Sequence, residues 1–135
     1  MKKNRTKNPK ISAELTDGKA VESDLTDMQD LSIAVMNLIN LEEHLAFTAM
    51  KTKKKEYLVV QVAVRKKRVK LMKKLLKNTE GELWCISKHL LAATMRLMES
   101  STKYIDKDPE QAYSLVKDAF DTYSLFWFLQ SVENK

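Results

Sequence analysis

The chain has 135 residues, 44% of them hydrophobic and 31% charged, with two Gly, two Pro and a net charge of +6. That length suits one domain, and so little Gly and Pro excludes a turn-rich β-sandwich or a low-complexity disordered chain. A single cysteine, Cys85, excludes an internal disulfide, so a reducing compartment is expected.

The N-terminal stretch MKKNRTKNPK is basic but lacks the apolar core of a signal peptide. No run reaches the ~18 consecutive apolar residues of a membrane span. The expectation is a cytoplasmic protein with no membrane partner. Residues 1–23 hold Lys2, Lys3, Arg5, Lys7 and Lys10 with few bulky apolar side chains. Such a stretch cannot bury enough surface to offset its ordering entropy, which makes it a disordered basic tail.

The first helix is expected over about 24–50. Thr26 and Gln29 form a capping box, and Asp27 and Asp30 suit the positive end of the helix dipole. Met28, Leu31, Val35, Leu38, Leu45 and Ala49 keep the alternating three–four spacing of a bundle seam. Glu42 breaks that seam.

A second helix is expected over about 52–78. The β-branched run VVQVAV suits a strand, but its length and its flanking helix formers decide for helix. Lys66, Lys67, Lys70, Lys73, Lys74 and Lys77 make a lysine stripe along its outer face. Half of the 24 basic residues lie between Lys51 and Lys77, against one acid, Glu56. A basic surface of that density recruits phosphates or acidic partners, unless acids in its own fold cover it.

The third helix spans about 80–104, opened by a capping box from Thr79 to Glu82 and apolar over more than half its circumference. The fourth, about 109–132, begins at Asp108-Pro109-Glu110: an N-cap, Pro at the first helical position, then an acid. It presents Tyr113, Val116, Phe120, Tyr123, Phe126 and Trp127 on one side, while Leu125, Phe128 and Leu129 spill onto the other. That second patch is either a homodimer contact, a partner groove or a broader buried face. Four helices of ~25 residues with short connections give an all-α, up-down-up-down four-helix bundle. The alternative is a pair of helical hairpins exchanged in a dimer.

Familiar bundle chemistry is missing. Neither His44 nor His89 follows a Glu by three residues, as a di-metal site requires, and no Cys-x-x-Cys or Gly-rich phosphate loop occurs. Glu82, Cys85 and His89 share one side of the third helix and are weak metal or thiol candidates needing a ligand from elsewhere. His44 is expected ~13 Å from His89 along the bundle, too far for zinc bonds of ~2.1–2.3 Å. No cofactor is expected.

An internal polar cluster is the stronger constellation. Glu42, Gln61, Arg65, Arg68, Thr94 and Tyr123 all fall at seam or interior positions. Glu42 is expected level with about Val62, with Arg65 one turn away, and should meet Arg65 or Arg68, since a charge in a core must be paired. Such a cluster either fixes helix register or holds a small anion between two arginines and Tyr123. These patterns point to a non-enzymatic interaction module whose lysine-rich helix meets an acidic protein or a nucleic-acid backbone. The alternative is a helical bundle binding a small anion or metal.

Overall fold

The computed structural model describes residues 19–133, with side chains from 27 to 132. The chain forms four helices: α1 (Lys19–Thr52), α2 (Glu56–Leu75), α3 (Gly81–Ser101) and α4 (Pro109–Glu133). No strand occurs among the described residues. Residues 1–18 of the expected tail lie outside the described residues. The remainder of that tail is the first part of α1, which runs straight through Thr26, so Thr26 does not cap a helix start.

α1 and α2 pack as one hairpin, α3 and α4 as another, and the hairpins join through α1 against α3. Asn40 of α1 hydrogen-bonds to Arg96 of α3, and Met36 shares a groove with Met95, so these two helices run parallel. Side chains of α1 and α4 also meet, at Ser32 and Tyr123. Val35, Met36 and Ile39 of α1 are buried with Met72 and Leu75 of α2 and with Leu76 just past its end. Leu91 of α3 and Phe126 of α4 complete this core.

The turn between α1 and α2 holds neither Gly nor Pro. Thr52 Oγ1 donates to the Thr48 carbonyl at 2.8 Å and accepts the Lys54 N–H at 3.2 Å. Lys53 takes φ of 60° to let the chain reverse. A side chain there strains the backbone, and glycine relieves that strain while loosening the unfolded chain. Lys53→Gly should therefore raise stability by ~0.5–1 kcal/mol in urea unfolding. A loss of stability would show that the left-handed residue is not a strained one.

Two helix ends differ from expectation for physical reasons. α2 stops at Leu75 rather than near Asn78, because Leu76 turns extended (φ −107°, ψ 137°) and is buried in the core. Its N–H still donates to the Met72 carbonyl at 2.9 Å, closing the last turn. The Thr79–Glu82 capping box does not form. Glu80 holds the N-cap position of α3 without a side-chain bond, and Asn78 Oδ1 instead accepts the Glu80 N–H at 3.1 Å. Gly81 follows with φ of 72°, a conformation suited to glycine. The start of α4 matches its signature: Asp108 Oδ1 accepts the Gln111 N–H at 3.1 Å just ahead of Pro109.

The α3–α4 hairpin is built on small residues. Ser87, Thr94 and Ser101 are buried on α3 at seven-residue intervals, and Ala112, Ala119 and Phe126 are buried on α4 at the same interval. In one antiparallel register Ser87 stands level with Phe126, Thr94 with Ala119 and Ser101 with Ala112. Each hydroxyl is satisfied. Thr94 donates to the Leu90 carbonyl at 2.8 Å and Ser101 to that of Met98 at 2.7 Å, while Ser87 accepts from Gln130 Nε2 at 2.8 Å. The alanines thus mark the seam of α4, which rotates Tyr113 and Phe120 out of the core and leaves both exposed. The expected burial of those two rings gives way to this closer approach of backbones.

Candidate functional site: a core ion pair and an exposed lysine face

Glu42 lies one turn beyond Ile39 on the α1 seam, and Arg68 one turn before Met72 on α2. The seam spacing carries both inward. Arg68 Nε donates to Glu42 Oε2 at 2.7 Å, and Nη2 donates to Oε1 at 3.1 Å. The third guanidinium nitrogen, Nη1, faces Met72 Sδ at 3.7 Å. The side chains keep 5% (Arg68) and 11% (Glu42) of their exposure, so this is a bidentate pair within the core. Each carboxylate oxygen is engaged and each guanidinium nitrogen has a neighbour, which leaves this pair little capacity for a further ligand.

Arg68, one of the two partners expected for Glu42, is the one it meets, further along α2 than the expected level of Val62. The turn occupies residues 53–55, which shifts the antiparallel register toward the C-terminal half of α2. Glu42 therefore meets Arg68, and Arg65 is exposed rather than internal. Gln61 is half-buried on the same side of α2. Thr94 belongs to the α3–α4 seam and bonds within its own helix. Tyr123 sits elsewhere again. Ser32 Oγ donates to the Gln29 carbonyl at 2.7 Å, so the 2.5 Å contact with Tyr123 is one in which the phenol donates. The six residues expected as one cluster thus occupy separate places: a core pair, a hairpin seam, an α1–α4 bond and an exposed arginine.

Three polar partners were not anticipated: Ser32 for Tyr123, Gln130 for Ser87 and Asn40 for Arg96. Sequence offered one signal, small hydroxyl residues at seam spacing. Trp127 is packed edge-on against both Phe126 and Tyr123, and its Nε1–H has no acceptor among the described residues.

Glu82, Cys85 and His89 are all exposed. Among the described residues no group of three or more His, Cys, Asp or Glu side chains is placed to hold a metal ion. His44 lines a cavity of about 410 Å³ with Asn40, Glu43, Phe47, Arg96 and Glu99, away from His89.

The lysines are arranged differently from the core pair. Lys66, Lys67, Lys70, Lys73 and Lys74 are exposed along α2, and Lys77 is exposed just past its end. At 100° per residue the five on the helix fall within about a third of the circumference, opposite the seam of Arg68, Met72 and Leu75. Among the described residues the ion pairs are Glu42–Arg68 and Lys117–Asp121, so none of the six lysines is matched by a carboxylate. No described helix is long and apolar enough to cross a membrane. Neither a family model, a curated protein nor a solved structure matches this chain.

Proposed function

We propose that the protein is a non-enzymatic helical interaction module whose lysine-rich α2 face contacts an acidic protein partner or a nucleic-acid backbone. One observation carries this reading: five exposed lysines share one face of α2, with Lys77 just past its end, and no acid of the described fold pairs with any of them. Concentrated like charge repels itself, and a counter-charge from outside relieves that repulsion. Lysines are compact charges on flexible stems, suited to phosphates or carboxylates in variable geometry.

The stripe itself carries no aromatic ring for base stacking and no arginine for bidentate base readout. Recognition by it is therefore a matter of charge and shape. Each neutralised phosphate adds about −0.9 to the slope of log K against log salt for duplex DNA. A labelled duplex should bind at ~50 mM salt and be released steeply as salt rises. Reversing Lys66, Lys70 and Lys73 to Glu should abolish that binding while leaving the melting behaviour within ~0.5 kcal/mol of the parent, because these positions are exposed. No binding at low salt would remove the nucleic-acid arm and leave the acidic protein as partner.

A further inference from the structure

We infer that the acidic surface fitting the α2 face is the α4 helix of a second copy of this chain. This rests on reading α2 as the contact surface and names its partner. The outer face of α2 is divided along its length. Val59 and Val62 stand 71% and 54% exposed in its first half, on the same side as the lysines that follow. A phosphate backbone has no use for two exposed valines. A protein helix with an apolar half and an acidic half does.

α4 is such a helix. It carries four acids, Glu110, Asp118, Asp121 and Glu133, against Lys117 alone, whereas α2 carries seven basic residues against Glu56. Leu125 and Phe128, 55% and 65% exposed, form the apolar part of its outer face. The halves are in complementary order. Set antiparallel, Val59 meets Phe128, Val62 meets Leu125 and Lys66 meets Asp121 in one register, and the next step sets Lys70 against Lys117. Steps of three and four along α2 match steps of three and four along α4, the spacing with which helix seams interlock. Asp121 already pairs with Lys117 at 3.2 Å, but both are more than half exposed, and such an i,i+4 pair is readily exchanged.

Symmetry permits the arrangement. Within one copy α2 and α4 are each antiparallel to one of two parallel helices, so they run in the same direction. A two-fold axis across the bundle then sets α2 of one copy antiparallel to α4 of the other. Val59, Val62 and Lys66 are covered by the same contact.

Sedimentation velocity of the full chain, run over rising concentration to ~100 μM, tests this. The expected result is reversible association above the 15.6 kDa monomer. Lys66→Asp should weaken it ~5–10-fold, and adding Asp121→Lys in the same chain should restore it. Phe128→Ser should weaken it at any salt. Association that ignores all of these substitutions would overturn the inference. A strict monomer that still binds the duplex would overturn it too while leaving the α2 face as the contact surface. A strict monomer that binds neither duplex nor a polyglutamate probe would overturn both.

Discussion

Replacing Glu42 with Ala should destabilise the protein by ~3–5 kcal/mol, the range for removing one partner of a buried ion pair. Arg68 would be left buried with its Nε and Nη2 donors unmatched, and Met72 Sδ is too weak an acceptor to compensate. Arg65→Ala, by contrast, should change stability by less than ~0.5 kcal/mol, because that guanidinium is exposed. Chemical unfolding of the three proteins separates these expectations. Equal effects of Glu42→Ala and Arg65→Ala would contradict the pairing. The pair is not itself a large source of stability. Changing Glu42 to Leu and Arg68 to Met together should give a protein as stable as the parent or more so, since two desolvated charges are exchanged for packed apolar volume. The loss in the single variant and its recovery in the double one would mark the pair as a device for register.

Ala119→Leu is the second large effect, expected to cost ~1–3 kcal/mol. Ala119 is 1% exposed and stands level with Thr94, where α3 and α4 approach over small side chains. Three added carbons there push the helices apart or strain rotamers unless they turn into the apolar groove of about 410 Å³ that Ala119 lines with Met36, Thr94 and Tyr123. The disturbance should carry along the seam to Ser87 and its bond from Gln130. Phe120→Leu, one residue on, is the control: its ring is exposed, and the exchange should be nearly neutral. Thermal melts showing the reverse order would place the aromatic face of α4 in the core after all.

The comparison between Ala119 and Phe120 also shows where sequence reading succeeds. Apolar spacing was enough to find four helices and their order, and Asp108-Pro109 placed the start of α4. Size misled the reading of α4's face. Large rings outweigh alanines in any count of hydrophobicity, whereas a close helix pair is marked by its smallest residues, and Ser87, Thr94 and Ser101 are polar enough to be passed over. Glu42 was legible as an interior acid because it interrupts a regular seam. Its partner was not fixed by sequence, since register depends on how many residues the turn consumes, and a turn of Lys53–Lys55 carries no Gly or Pro to announce its length. The ends of α2 and α3 were obscured for a related reason. The buried, extended Leu76 reads in sequence as one more helical leucine.

The exposed lysines were legible as a stripe, but their lack of partners was not. A helical pattern specifies which residues share a face, and only the packing of all four helices specifies whether acids from elsewhere reach it. Here they do not, among the described residues. The proposed division of labour, one charge pair inside to set register and a row of cations outside to meet a partner, has a direct consequence. The interior can be made neutral without touching the outer face.

Binding of a labelled duplex and of a polyglutamate probe by the Glu42→Leu, Arg68→Met protein, beside the Lys66→Glu, Lys70→Glu, Lys73→Glu protein, is the decisive comparison. The core variant should stay folded and bind as the parent does, and the surface variant should stay folded and lose binding. A folded core variant that no longer binds, next to a surface variant that still does, would move the function from the lysine face to the interior.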